Sequence, residues 1–271
     1  MEGRYLLGVE PTDRVEAFLR THTRARVAPD VLRRRNAAAE AIREARPFSP
    51  GAVRPAPDDA EAHWARVRGR PLFQTLFGSR QVTFAWVDIA TLIPTQPHIN
   101  FTHALTRVGA DLPPDAVLEL TLPAEREVMD LWGGLTRTGG TPVLTLGTRD
   151  PNVGISEARL DHADGLKIVF TIGKTAVFVQ VIRHQGRFLV RDGTHRAVGL
   201  LARGHTHLPA VVLSCDEPDE IPPFLSRTLL LGPHPPVLAD FLEPALVYAH
   251  PWDERTKVIR IQAEEFALPA P

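Results

Sequence analysis

The stretch Arg187–Leu213 constrains the fold of this chain more than any other. Its sequence, RFLVRDGTHRAVGLLARGHTHLPAVVL, predicts a strand, a sharp turn, a helix and a second strand. The Asp192-Gly193 pair is typical of a turn and ends a short apolar run with β-branched character. Thr194 lies where a helix N-cap belongs, an apolar stripe follows, and Gly204 is placed for a left-handed C-cap.

The turn at Gly193 has the chemistry of an anion site. The first turn of a helix presents unpaired N–H groups and the positive end of the helix dipole, both of which favour phosphate. Gly193 lets the backbone approach a ligand closely. Thr194 offers a hydroxyl, His195 an imidazole, and Arg196 a guanidinium fork that matches phosphate oxygens. The alternative is an ordinary turn in which Asp192 and Thr194 are caps and Arg196 is an exposed helix residue.

The spelling DGTHR, followed by a small residue at Gly199, resembles the phosphate-binding motif of the ParB/sulfiredoxin superfamily. In that motif a glycine, an arginine three residues later and a small residue three further open a helix. Gly193, Arg196 and Gly199 occupy these places, with His195 before the arginine.

A second segment carries the same resemblance. The runs VDI, LIP and QP, at residues 87–89, 92–94 and 96–97, are similar to the entry segment of ParB-like domains. His98 stands where that family has an arginine. The resemblance implies that Gln96, together with residues 193–196, faces a bound nucleotide.

The predicted fold class is α+β, with a ParB/sulfiredoxin-like mixed sheet that carries the motif helix. The chain is divided into a helical N-terminal appendage with a proline-rich linker (1–57), a core (58–215) and a strand-containing C-terminal extension (216–271). Alternation and apolar runs predict strands near 81–89, 117–122, 142–146, 166–172, 176–182 and 208–213. A hairpin at 172–175 is expected to join two of them, and a second hairpin at 184–186 to lead into the motif. The extension, with strands at 245–248 and 257–262, is expected to add an antiparallel pair to the sheet or to make a homodimer contact.

Composition excludes several classes of protein. The 271 residues have a formal net charge of −1, which argues against coating nucleic acid through overall charge. No apolar run approaches the length of a membrane span, and no signal-peptide core opens the chain, so a cytoplasmic location without a membrane partner is expected. The single cysteine, Cys215, cannot form an intrachain disulfide.

Three further patterns have ordinary interpretations. His98 and His103 are five residues apart, which is not a metal-ligand spacing on a helix, so they are interpreted as surface polar residues and no metal site is predicted. The glycine-rich loop around Thr136–Thr138 predicts a flexible lid or a hairpin. The acidic run at 214–220 predicts a solvated loop.

The resemblance implies a cytoplasmic nucleotide-binding protein, either a small-molecule phosphotransferase or a nucleotide hydrolase. ATP or CTP with Mg²⁺ is the expected ligand, held by Gly193, Thr194, His195, Arg196 and Gln96. His195 and Asp192 are the catalytic candidates, and Asp88 is a second candidate base on position alone. Sulfiredoxin chemistry is excluded because Thr194 replaces the required cysteine. No basic recognition helix follows the motif, which argues against a chromosome-partition factor. The alternative is a non-catalytic or nuclease-like DNA-interaction module of the ParB/DndB type.

Overall fold

The computed structural model describes residues 1–22, 30–44, 48–51, 53–54, 60–125, 129–150, 152–162, 167–174, 177–217, 221–222, 224–252 and 256–262. The side chains of residues 12, 32, 114 and 115 are outside this description. The chain forms two compact units. The first unit comprises Met1–Arg126 and Val177–Asp253, and the second comprises Glu127–Ala176 and Glu254–Pro271. These bounds do not coincide with the predicted divisions after residues 57 and 215.

Helices and strands alternate irregularly along the chain. The helices are α1 (Thr12–His22), α2 (Asp30–Glu44), α3 (Ala60–Arg68), α4 (Pro71–Phe77), α5 (Phe101–Val108), α6 (Pro114–Thr121), α7 (Thr194–Ala202) and α8 (Arg227–Leu230), with a 3₁₀ helix at Leu238–Leu242. The strands are β1 (Glu2–Leu6), β2 (Val53–Arg54), β3 (Val82–Asp88), β4 (Ile93–Pro94), β5 (His98–Asn100), β6 (Trp132–Thr138), β7 (Thr141–Thr148), β8 (Val153–Asp161), β9 (Lys167–Lys174), β10 (Gln180–His184), β11 (Arg187–Asp192), β12 (His207–Ser214), β13 (Val247–Pro251) and β14 (Lys257–Gln262). The predicted α+β class is confirmed; the more specific ParB/sulfiredoxin-like fold stays a prediction. No described helix has both the length and the apolar character needed to cross a membrane.

The largest sheet of the first unit has the strand order β2-β3-β12-β10-β11-β4. It is mixed, because β10 runs parallel to β12 and antiparallel to β11, while β11 runs parallel to β4. The predicted hairpin at 184–186 is confirmed, with positive φ at Gln185 (49°) and Gly186 (76°). Leu208–Leu213 is buried throughout, as expected of a central strand covered on both faces. The motif helix α7 connects β11 to β12 and lies on this sheet.

A smaller sheet of the first unit adds a strand to the N-terminal segment, which was predicted as a helical appendage. The chain begins with strand β1, which pairs antiparallel with both β5 and β13. Tyr5 and Leu6 are fully buried, so apolar burial holds this strand against the rest of the unit. Apolar residues at helical spacing predict a helix at 13–21, and a segment rich in Ala, Arg and Glu predicts another at 31–45. These helices appear as α1 and α2, although residue 45 and part of the predicted linker lie outside the described residues.

The second unit contains a three-stranded sheet, β14-β7-β6, and a two-stranded sheet, β8-β9. The glycine loop near Thr136–Thr138 is a hairpin, because Gly139 and Gly140 take positive φ between β6 and β7. The hairpin predicted at 172–175 is wrong: β9 continues to Lys174 and pairs with β8, not with β10. The two C-terminal strands also belong to different sheets, since β13 joins β1 and β14 joins β7.

The strand predicted at 117–122 is wrong, because this segment belongs to helix α6. Proline at the first helical position favours a helix start, and Pro114 stands at that place. Val117 and Thr121 are buried four residues apart, which is the helical period. Pro123 also predicts a short helix over residues 125–131. Residues 126–128 lie outside the described part of the chain, and residues 129–131 form no helix.

Candidate functional site

The turn between β11 and α7 is built around Gly193. This residue is the N-cap of α7 and has φ 96°, a left-handed conformation that glycine adopts without strain. A Cβ atom here would lie 2.8 Å from Cγ2 of Val179, so the packing also requires glycine. Thr194, expected to be the N-cap, is instead the first helical residue and is buried. Both demands on Gly193 come from the fold itself, before any ligand is considered.

Helices α5 and α7 pack side by side and run in the same direction. The backbone N–H of Asn100, the N-cap of α5, donates to Nε2 of His195 in the first turn of α7 (3.0 Å). One turn further along, a Cβ at Gly199 would clash with the carbonyl oxygen of Ala104. Gly199 therefore lets the two helices approach closely, and the N-termini of both helices meet at Asn100 and His195.

The two N-termini differ in how their N–H groups are satisfied. The side chain of Asn100 caps α5, because its Oδ1 accepts from the backbone N–H of His103 (2.9 Å). The N-cap of α7 is a glycine and forms no side-chain cap. The first turn of α7 therefore keeps the positive character of an uncapped helix start.

His195 is neutral at physiological pH. Burial is the main cause that lowers its pKa to about 3, and His103, His98 and Arg107 lower it further by repelling the charged form. Because Nε2 accepts from the N–H of Asn100, the ring proton of the neutral form is on Nδ1. The sequence left open whether this ring faces a phosphate or a backbone carbonyl; the described contact is with a backbone N–H.

Asp192 ends β11 beside this helix start. Burial raises the pKa of its carboxyl group, and the positive charges of Arg196, Arg107 and Arg191 act in the opposite direction, as does the N–H of Gly193. A partly buried carboxylate with a raised pKa is suited to accept a proton. The same cations also give the surroundings of the turn a positive potential.

Arg196 performs a structural task within the first unit. Its side chain is 2% exposed, and Nη1 donates to the carbonyl oxygens of Val177 (2.5 Å) and Leu120 (3.3 Å). These bonds tie α7 to the end of α6 and to the chain that enters β10. The phosphate-binding role assigned to Arg196 from the sequence stays a prediction.

The entry segment predicted from the second motif lies next to the turn. Thr95 donates its hydroxyl to the carbonyl oxygen of Val190 (2.7 Å), which fixes the segment to β11. Gln96 is half-buried, and its Nε2 donates to the carbonyl oxygen of His98 (3.1 Å). The structure thus brings Gln96 near the motif, with its amide N–H₂ bonded within its own loop.

The sequence suggested that His98 is a surface polar residue, but its side chain is half-buried among aromatic rings. Its ring lies 4.3 Å from that of Phe18 and is stacked with those of Tyr5 (6.5 Å) and Trp252 (5.9 Å), measured between centroids. His103 packs at the motif instead, with its ring 5.9 Å from that of His195. Within the described residues, no group of three or more His, Cys, Asp or Glu side chains is placed to hold a metal ion.

Asp88, the second candidate base, lies away from the turn. It is in β3, and two strands, β12 and β10, separate β3 from β11 in the sheet. Neighbouring strands are about 4.8 Å apart, so three strand spacings put Asp88 more than about 14 Å from Asp192. Asp88 has a local role, since Oδ1 accepts from the backbone N–H of Ala90 (3.0 Å).

Two residues of this site were not identified from the sequence. Asn100 caps α5 and contacts His195, and Arg107 on the same helix acts on both His195 and Asp192. The signal for Asn100 was available: an Asn precedes Phe101, Ala104 and Val108, which have helical spacing and are all buried. The signal for Arg107 was absent, because only the packing of α5 on α7 brings it to the turn.

No family model matches this chain, and no curated protein and no solved structure matches it. The candidate site therefore stands on its own geometry.

That geometry fits the phosphates of a nucleotide in part. The uncapped start of α7, the left-handed Gly193 and the nearby guanidinium groups suit an anion. Nη1 of Arg196 donates to backbone carbonyl groups and Nε2 of His195 accepts from Asn100, so these two atoms already have partners within the protein. Asp192 could supply the one carboxylate that a phosphate-bound Mg²⁺ needs from the protein.

Proposed function

We propose that this protein binds a nucleotide through its phosphates at the start of α7, and acts as a phosphotransferase or nucleotide hydrolase. The observation that carries the proposal is the convergence of two helix N-termini at Asn100 and His195, of which only α5 has a side-chain cap. The uncapped first turn of α7 has N–H groups and dipole charge available for an anion. The resemblance of DGTHR to a phosphate-binding motif supports the same assignment.

Each residue of the turn has a distinct role in this proposal. The backbone N–H groups of Thr194 and His195 donate to phosphate oxygens, and Arg107 supplies positive charge. Asp192 accepts the proton of the attacking hydroxyl or water, a role that its raised pKa favours. ATP or CTP would bring Mg²⁺ with it, and the ion would offset the charge of the phosphates. Gln96 and Arg196 hold the surrounding loops in place.

The contacts of Arg196 favour a second candidate, a non-catalytic interaction module of the ParB/DndB type that keeps the motif as a structural turn. Gly193, His195 and Arg196 each have a packing or hydrogen-bonding reason within the fold. The fold would therefore require these three residues even if the protein bound no ligand at the turn.

Thermal denaturation with ligands separates the two candidates. ATP or CTP with Mg²⁺ should raise the melting temperature, because a ligand that binds only the folded state stabilises it by mass action. The free energy of unfolding should increase by about 2.7 kcal/mol when the ligand is at 100 times its Kd. Arg107→Gln should weaken the binding at least several-fold, because it removes a positive charge beside the turn. Arg203→Gln is the matched control, since Arg203 is exposed at the opposite end of α7 and should leave the affinity unchanged.

A second variant separates catalysis from nucleotide binding. Asp192→Asn should keep nucleotide binding and abolish phosphate release or transfer, because the amide cannot accept the proton. Absence of any shift with ATP and CTP would exclude the nucleotide proposal. Salt-dependent binding of duplex DNA by such a protein would support the interaction module.

A further inference from the structure

The end of β11 far from the candidate site has a cationic side chain without a carboxylate partner. Arg187 begins β11 and Asp192 ends it, so at about 3.3 Å per residue the two lie about 17 Å apart. Arg187 is half-buried and forms no ion pair with any residue that the structure describes. Burial lowers the pKa of Arg187, yet a guanidinium group stays protonated in proteins. An uncompensated positive charge therefore lies at this end of the sheet.

Two neutral contacts hold the guanidinium group of Arg187 in place. Nη1 donates to the carbonyl oxygen of Leu230 (3.1 Å), and Cζ lies 5.1 Å from the centroid of the Phe48 ring. The remaining N–H groups form no hydrogen bond with a described residue. A guanidinium fork that is fixed in position and has unused donors is suited to bind an oxyanion through two parallel hydrogen bonds.

His184 lies directly opposite Arg187 in the β10–β11 pair, so the two side chains project from the same face of the sheet. The side chain of His184 is 2% exposed. Its Nδ1 lies 3.0 Å from the carbonyl oxygen of Cys215, and because a carbonyl can only accept, Nδ1 carries the ring proton. In the neutral ring Nε2 then has a lone pair. This atom is buried, and no described residue gives it a hydrogen bond.

A second imidazole near Phe48 also has unused hydrogen-bonding capacity. The backbone N–H of Phe48 donates to the carbonyl oxygen of Pro233 (3.1 Å), and His234 is the next residue in the chain. Nδ1 of His234 is buried without a hydrogen-bond partner in the described part of the chain. A buried water could satisfy a histidine nitrogen, but a neutral water would leave the charge of Arg187 uncompensated. An anion compensates the charge as well.

We propose that Arg187 and His184 form a binding site, which we call the hairpin site, for a small oxyanion that retains a hydroxyl group, namely hydrogen phosphate or bicarbonate. The anionic oxygens accept from the guanidinium fork of Arg187, and the O–H of the ion donates to Nε2 of His184. Sulfate has no proton at neutral pH, so it would place an oxygen lone pair against that of Nε2. The hairpin site therefore prefers hydrogen phosphate over sulfate, although the two ions are similar in size and shape.

Isothermal titration calorimetry of the full chain with sodium phosphate, sodium bicarbonate and sodium sulfate, at one ionic strength, tests the proposal. Phosphate or bicarbonate should bind with a Kd of about 1 mM or lower, and sulfate at least about tenfold more weakly. The tighter of the first two identifies the ion. Arg187→Gln should weaken this binding at least about tenfold, because it removes the charge and the fork. The matched control is Arg183→Gln, which removes the same charge from an exposed residue on the opposite face of β10 and should bind like the parent.

A second variant tests the histidine. In His184→Asn the amide nitrogen takes the place of Nδ1 and keeps the bond to the carbonyl of Cys215, but nothing replaces Nε2, so the preference over sulfate should be lost. Circular dichroism confirms that each variant is folded. Arg107→Gln, which alters the start of α7, should keep the binding, so the nucleotide proposal can fail without this one. No binding of phosphate or bicarbonate at millimolar concentrations, equal affinity for sulfate, or unchanged affinity of Arg187→Gln would overturn the hairpin site.

Discussion

Strand β12 of the first unit and strand β6 of the second have opposite environments. Six consecutive residues of β12, Leu208–Leu213, are buried, whereas all seven residues of β6 are exposed. β12 has a strand on each side, β3 and β10, while β6 pairs with β7 alone among the strands that the structure describes. The comparison indicates that apolar burial stabilises the first unit and that hydrogen-bonded ladders contribute proportionally more to the second.

The largest expected contrast comes from one substitution made in both units. Phe178 is fully buried among Phe73 and Phe77, whereas Phe170 of β9 is 39% exposed. Phe178→Ala should reduce the free energy of unfolding by about 3–5 kcal/mol, because it removes apolar burial and leaves a cavity. Phe170→Ala should cost less than about 1 kcal/mol. Urea denaturation followed by circular dichroism measures both; equal losses would contradict the comparison.

Two titrating groups give the first unit a specific pH dependence. Burial raises the pKa of Asp240 to about 6, although its carboxylate accepts from the N–H of Val237. The raised pKa favours folding at low pH, so this contribution is lost as the pH rises from about 4 through 6. It amounts to about 2–3 kcal/mol, at about 1.4 kcal/mol for each pKa unit. His195, whose pKa is lowered to about 3, acts in the opposite sense: its contribution is present above pH 6.5 and is lost as the pH falls towards 3.

Single variants separate these opposing contributions. Between pH 4.5 and 7, Asp240→Asn should gain stability relative to the parent as the pH rises, since Asn keeps an acceptor for Val237 and carries no charge. His195→Gln should lose stability relative to the parent over the same rise. Urea titrations of the three proteins at both pH values give the differences. Parallel pH profiles of all three would show that neither group is perturbed by the fold.

A smaller contrast is expected from two glycines. Gly199→Ala would place a methyl group against the carbonyl oxygen of Ala104 and 2.6 Å from Cγ2 of Val108, so α5 and α7 must separate. We expect a loss of about 1–3 kcal/mol. Gly134→Ala in β6 meets no atom within 4 Å and has no positive φ, so it should change the free energy of unfolding by less than about 0.5 kcal/mol. A large loss from Gly134→Ala, measured by thermal denaturation, would mean that β6 is covered in solution.

The sequence predicted local structure well where the turn-forming residues and the spacing of the apolar residues indicate the same element. Asp192-Gly193 marks the turn, and the apolar run after Gly204 predicts β12; both features are present. The segment at 117–122 failed because its alternating apolar residues fit a strand, while the helix start at Pro114 and the packing of Val117 and Thr121 determine the outcome. Periodicity over six residues cannot distinguish the two, and the tertiary contact decides.

Strand partners and side-chain contacts were beyond sequence reasoning. β9 was expected to pair with β10, but it pairs with β8, and an irregularity at Ser156 sets the pairing of Ile155 with Ile172. Likewise, the sequence suggested that Arg196 either binds phosphate or is exposed; it is buried, and it contacts the carbonyl groups of Leu120 and Val177. These carbonyls come from distant segments, and only the assembled fold brings them to α7.

The central place of β1 in its small sheet has a consequence for synthesis on the ribosome. β1 is synthesised well before its partners β5 and β13, which lie at residues 98–100 and 247–251. Contacts between residues so distant along the chain close late and slow the search for the native state. Until then, Tyr5 and Leu6, which are later fully buried, remain exposed beside an open strand edge. Exposed apolar side chains and an open strand edge are the features that make an incompletely folded chain prone to aggregation.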